Sequence, residues 1–179
     1  PASISHRLAD TRRAAEGTVV ERSLTGIPLT TQPPAITIGA PLRGPGWVAA
    51  NGLFSKDHRR SFNAVDGREY LAQRFAIDWV QLGPAGRFFR ESSTADENSY
   101  GCGAEVIAVA DGVISNLVTD QPENAGSNPP TSRTVTLDSI TGNSLVLDLG
   151  GGRYALYAHL KPGSLKVAVG DKVKAGQVL

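Results

Sequence analysis

The sequence predicts an all-β protein built from antiparallel sheet, and three observations predict it. Short Val, Ile and Leu runs recur at roughly eight to twelve residues, bounded by glycine, asparagine and proline, of which the chain holds Gly 20 and Pro 11. Asp66-Gly67 and Gly150-Gly151-Gly152 stand between alternating apolar segments, where a tight hairpin asks for positive φ. Beyond the first residues no segment sustains helical periodicity.

Residues 1–43 read as a small N-terminal β appendage and linker. Strand character is faint there, in Thr18-Val19-Val20 and Ile36-Thr37-Ile38, and Pro28, Pro33, Pro34 and Pro41 remove ladder donors, so any strands are short or at an edge. His6 lies among polar residues and reads as solvated. Gly44-Pro45-Gly46 then turns the chain into Trp47-Val48-Ala49-Ala50-Asn51, the start of the main domain, 44–179. Phe62 to Val65 and Glu69 to Gln73 flank the Asp66-Gly67 turn as a hairpin. Further strands are expected at about Phe75 to Gln81, Glu105 to Val109, Gly112 to Val118, Ser144 to Asp148 and Tyr154 to His159. Gln81 to Gly103 and Asp120 to Arg133, rich in turn formers, read as long exposed inserts.

Composition excludes several classes of function. A formal net charge of +1 with scattered Lys and Arg gives no basic footprint for nucleic acid. No apolar run reaches the roughly 18 residues of a membrane span, and the first residues carry no apolar signal core. Cys102 is the single cysteine, so neither an intrachain disulfide nor a cysteine metal knuckle can form. At 40% hydrophobic residues, 179 residues suffice for a buried core.

Two polar positions interrupt apolar strands. In Tyr157-Ala158-His159-Leu160, alternation puts His159 on the face of Tyr157, so one strand face carries an imidazole and a phenol. In Arg74 to Val80, RFAIDWV, alternation sends Arg74, Ala76, Asp78 and Val80 to one face. A carboxylate there needs a cation, and either Arg74 or a metal ion can supply it. His58, in Lys56-Asp57-His58-Arg59-Arg60, reads as an exposed side chain or as a ligand for that metal. Trp47 reads as core or as a groove wall.

The run GNSLVLDLGGGRYALYAHL, followed by PGSLKVAVGDKVKAGQVL and preceded by GAEVIAVADGVI, resembles the lysostaphin/LytM-type zinc endopeptidases that cut peptide cross-links in bacterial cell walls. The resemblance covers roughly Arg74 to Leu179. It implies a barrel-sandwich-like sheet of the duplicated-hybrid-motif kind, with His159 as the catalytic histidine and Asp78 as a zinc ligand; Tyr157, and Trp47 from outside the resembling stretch, are the candidate groove residues. The family's first ligand motif, His-x-x-x-Asp, here reads Arg74-Phe75-Ala76-Ile77-Asp78, so arginine stands at a ligand position. The terminal His-x-His motif does not occur before Leu179.

The resemblance therefore implies a hydrolase-type domain, acting on peptidoglycan or a peptide in the periplasm or outside the cell. Its zinc is expected to be absent or weak and its activity lost, with Arg74 bonding Asp78 in place of the metal, while His58 remains the candidate for the missing ligand. A non-catalytic wall-binding or regulatory domain on the same fold is the alternative. The turns Ala110 to Ile114 and Val169 to Gln177 are also similar to those of carrier and phosphotransfer domains; that reading would make His159 a phosphoacceptor and needs a second histidine beside it.

Overall fold

A computed structural model of the chain describes residues 3–13, 15–30, 34–52, 54–60, 62–91, 96–123 and 136–179. The second expected insert, from Asp120, lies largely outside them. The chain divides into two compact units, Pro1–Thr37 and Ile38–Leu179. The fold is all-β, its sheets antiparallel, and no helix is long and apolar enough to cross a membrane.

The first unit is one long hairpin. Strands β1 (Ser3–Ile4), β2 (Arg7–Arg13), β3 (Val19–Thr25) and β4 (Leu29–Thr30) pair as β1 with β4 and β2 with β3. Of the strand character expected in this region, Val19 and Val20 fall in β3, whereas Ile36 to Ile38 lie outside any strand. Leu8 faces Leu24 across the ladder and Arg12 faces Val20. His6 is exposed, its ring so close over Gly26 that a Cβ there would collide with it.

The second unit opens with β5 (Trp47–Asn51), then α1 (Lys56–Arg60), β6 (Asn63–Val65), β7 (Arg68–Tyr70) and β8 (Asp78–Gln81). β6 and β7 close on Asp66 and Gly67, both at positive φ, the two-residue hairpin the sequence asks for. β5 pairs with β8. The extended run expected from Phe75 starts only at Asp78. Residues before it turn tightly, the Arg74 N–H bonding Leu71 O at 3.2 Å and the Ala76 N–H bonding Gln73 O at 2.9 Å.

The core lies under a four-stranded sheet of order β11-β10-β9-β12, made of β9 (Gly112–Val118), β10 (Asn143–Gly150), β11 (Arg153–Leu160) and β12 (Lys172–Val173). One face buries Ile114, Leu145, Leu147 and Tyr157. The other leaves Tyr154 and Leu156 exposed, as period-two alternation in a one-sided sheet requires. Burying three aliphatic side chains completely is worth about 1.5–3 kcal/mol each.

The segment around Val106 to Val109 covers that face, with Leu165, Val167 and Leu179. Its expected strand is realised as single bridges, Leu42 to Val106 on one side and Ile107 to Val178 on the other. Backbone bonds continue both edges, from the Ile107 N–H to Pro41 O at 2.8 Å and from the Ala108 N–H to Gln177 O at 2.8 Å.

Candidate functional site

Ser55 starts α1. Its Oγ accepts the His58 backbone N–H at 3.3 Å, the N-cap bond of a short helix, and its carbonyl accepts the Arg59 N–H at 3.2 Å. This single turn points His58 inward while Asp57, Arg59 and Arg60 stay exposed. His58 is 4% exposed, so the solvated reading of this side chain is replaced by a buried one.

Both ring nitrogens of His58 face oxygen. Nδ1 lies 3.1 Å from the Ala76 carbonyl oxygen, and Nε2 lies 3.3 Å from Asp78 Oδ2. A carbonyl only accepts, so Nδ1 carries a proton. Nε2 lies near an oxygen that also only accepts, so the contact is attractive when Nε2 too carries a proton, as a histidinium–carboxylate ion pair, or when the two atoms share a cation.

Asp78 Oδ2 also accepts a hydrogen bond from Asn51 Nδ2 at 2.9 Å. The Asp78 side chain is 50% exposed against 5% for His58, so the pair opens to solvent from the carboxylate side.

Arg74 does not take the place expected for it. Its guanidinium sits over the Phe75 ring, 5.5 Å from the centroid, and among the described residues the ion pair at Asp78 is made by His58. The same-face argument for Arg74 and Asp78 assumed extended backbone between them, and the turns over residues 71–76 break that periodicity.

His159 is exposed near the end of β11 at φ 58°, one of three non-glycine residues at positive φ among those described. The pairing slips there: Leu145 faces Tyr157 and Asn143 faces Leu160, so β11 carries one residue more than β10 and bulges. The His159 N–H bonds Thr141 O at 2.9 Å, which holds the left-handed conformation, and the ring lies near Gly142. A non-glycine residue held there stores strain, and such residues collect at functional positions. No hydrogen bond or ion pair joins His159 to the His58–Asp78 pair among the described residues.

Tyr157 belongs to the core rather than to a groove wall, because its hydroxyl is consumed by backbone. It accepts the Val109 N–H at 2.9 Å and donates to Ile107 O at 3.2 Å. Burial pushes this hydroxyl above its ordinary value of 10.0, and the bond from Val109 opposes the shift. Trp47 is half-buried, its Nε1 donating to Arg43 O at 3.1 Å and its ring against Gly101.

Sequence reasoning missed Asn51, which no strand pattern singled out. It also missed the burial of His58, for which Ser55 three residues earlier was the available signal. No family model, curated protein or solved structure matches the chain.

Proposed function

We propose that the second unit is a metallopeptidase-like β domain of the kind that acts on peptides of bacterial cell-wall cross-links, with His58 and Asp78 as two of its zinc ligands. The observation that carries the reading is the 3.3 Å separation of Nε2 and Oδ2. It is longer than the 2.7–2.9 Å of a charge-assisted N–H···O bond. Zinc bonds of about 2.0–2.2 Å at the tetrahedral angle put two ligand atoms about 3.4 Å apart. The Ala76 carbonyl on Nδ1 is the partner that a metal-ligating histidine uses to fix its tautomer.

Bound zinc would polarise a scissile carbonyl and lower the pKa of a bound water to about 7. The chain's own contribution is a neutral imidazole from α1, one negative charge from β8, and an approach open on the carboxylate side. His159 is the residue that the resemblance assigns to orienting the attacking water, and its bulge keeps the imidazole exposed.

Hydrolysis asks for a third protein ligand. Among the described residues no group of three His, Cys, Asp or Glu side chains is gathered for a metal. That observation favours a second reading, a wall-binding or regulatory domain on the same fold that keeps the pair without turnover. Either reading implies a place outside the cytoplasm.

Calorimetric zinc titration tests the metal, and digestion of purified peptidoglycan separates the two readings. The expected result is weak uptake of zinc, lost in both His58→Ala and Asp78→Ala. Turnover that stops on His159→Ala selects the peptidase, and sedimentation with peptidoglycan without turnover selects the binding domain. A chain that takes up no zinc, or variants that bind as the parent does, would overturn the metal assignment.

A further inference from the structure

We propose that the first unit is a self-association surface, in which the free edge of β2 pairs antiparallel with the β2 edge of a second copy about a two-fold axis between the two Thr11 residues.

The hairpin's lack of a core supplies the first argument. Every residue of β2 and β3 is exposed, on both faces of the ladder. A two-stranded hairpin is marginally stable in water unless further strands or another layer join it. Among the described residues β2 and β3 pair only with each other, so each presents an unpaired edge. The register runs from Arg7 opposite Thr25 to Arg13 opposite Val19 without a shift, and β2 contains no proline. Its edge therefore lacks the bulge or proline with which sheets prevent pairing, and the remaining protection, charge, is here of both signs.

The phase of the ladder supplies the second. The Gly26 N–H bonds His6 O at 2.9 Å, and the register sets those residues opposite each other. They are a hydrogen-bonded pair, so by the alternation of an antiparallel ladder Leu8, Asp10 and Arg12 bond β3, while Arg7, Ala9, Thr11 and Arg13 turn their N–H and C=O groups outward. A strand that pairs with its own copy across a two-fold axis sets one residue opposite itself. With Thr11 on the axis, the two Thr11 residues exchange both backbone bonds, and Ala9 of each copy does the same with Arg13 of the other.

Charge decides between the possible axes. Around Thr11, Asp10 stands opposite Arg12 of the second copy, in a non-hydrogen-bonded position where side chains approach most closely. Within one copy Arg12 Nε already bonds Asp10 Oδ2 at 2.6 Å, both side chains being more than half exposed. In the paired copies carboxylates and guanidiniums alternate around the axis, so each charge has an opposite neighbour along its strand and another across it. An axis at Ala9 matches Asp10 with Leu8, and one at Arg7 or Arg13 sets arginine against arginine. On β3 an axis at Glu21 opposes two carboxylates, and one at Ser23 sets Arg22 against Leu24; no axis within that strand matches opposite charges. The edge of β2 is self-complementary and that of β3 is not.

The experiment is sedimentation equilibrium of the whole chain at low salt, beside Asp10→Arg and Arg12→Asp. The parent should sediment as a monomer–dimer equilibrium. The first variant brings only positive charge to the contact and the second only negative, so each should associate at least about tenfold more weakly than the parent. An equimolar mixture of the two should regain the parent's association. Neither variant keeps the Asp10–Arg12 bond within its strand, so recovery on mixing reads the contact between copies alone. Hydrogen exchange at the Thr11 amide should slow as protein concentration rises, while exchange at Ser23, on the edge of β3, does not. A parent that stays monomeric at millimolar concentration overturns the proposal, as does a dimer whose variants associate within about threefold of it or fail to recover on mixing. A monomer whose Thr11 amide is protected by peptidoglycan gives the edge to another partner and overturns the second copy.

Discussion

The sheet of β9 to β12 and the small β5–β8 ladder treat their inward polar groups in opposite ways. Under the sheet, Asn143 is buried and makes two bonds to one residue, its Oδ1 accepting the Gln121 N–H at 3.0 Å and its Nδ2 donating to Gln121 O at 2.8 Å. Tyr157 is settled in the same way against Ile107 and Val109. Every one of these contacts matches a donor to an acceptor, so nothing is left over for a ligand. Beside the ladder, His58 and Asp78 set a ring nitrogen 3.3 Å from a carboxylate oxygen, an ion pair when the ring is protonated, with half of the carboxylate side chain exposed. The first region uses polarity to fix the fold, and the second leaves a charged group open to solvent.

Emptying the core should separate the two regions most. Leu147 is fully buried, so Leu147→Ala should cost about 2–5 kcal/mol of unfolding free energy. Phe75, 79% exposed beside the ladder, should tolerate alanine within about 0.5 kcal/mol. Urea denaturation of both variants checks the pair. Equal losses would mean that the ladder region carries as much of the fold as the sheet does.

A smaller effect is expected from the buried polar contacts. Tyr157→Phe leaves the Val109 N–H without its acceptor and should cost about 1–3 kcal/mol. The hydroxyl is raised above 10.0 in the folded chain, so the unfolded chain ionises first. Its contribution is full below pH 10 and is lost as pH rises through the folded value. The stability gap between parent and Tyr157→Phe should therefore narrow above pH 10, and a gap that widens there would contradict the burial argument.

Smaller still is Arg74→Ala. Arg74 is exposed over Phe75, so removing it should change stability by less than about 0.5 kcal/mol and leave zinc affinity at the His58–Asp78 pair near that of the parent. A marked rise in zinc affinity would show that the arginine does reach the carboxylate in solution.

How far the sequence could be read follows from the same contrast. The β6–β7 hairpin and β9 to β11 were legible because the pleat period, the glycine turns and one-sided burial all agree there. Gly112 to Val118 is found at its expected limits, and Ser144 to Asp148 grows by a residue or two at each end. The failures fall where the backbone leaves its period. Residues 71–76 turn, so Arg74 and Asp78 do not share a strand face. The bulges at Ala50 and at His159 shift side chains by one position, which alternation cannot foresee. A five-residue α1 is too short to show periodicity, and only the Ser55 cap marks it. The candidate site is built from these irregular places, which is why its chemistry-bearing residues could be suspected one by one while their contacts could not.

The smallest expected effect concerns a contact outside both regions. Asp111, at the turn before β9, accepts Lys174 Nζ at 2.6 Å and the Ala175 N–H at 2.9 Å, tying that turn to the chain just after β12. The Lys174 ammonium and the Ala175 N–H hold the Asp111 carboxyl below 3.8, and the carboxylate raises Lys174 above 10.5. Both groups face solvent, where an ion pair is weak and salt screens it. The depressed carboxyl contributes stability that is present above pH 3.8 and lost as pH falls through its folded value. The raised ammonium contributes stability that is present below pH 10.5 and lost as pH rises through its own. Asp111→Asn removes the charge but keeps an oxygen for Ala175, whereas Asp111→Ala removes both. Unfolding at neutral pH and low salt should therefore rank the parent above Asn and Asn above Ala. The gap between parent and Asn should close in 1 M salt and at either pH extreme, while the gap between Asn and Ala persists. If salt closes both gaps alike, the Ala175 bond contributes nothing, and the tie between the two turns is electrostatic alone.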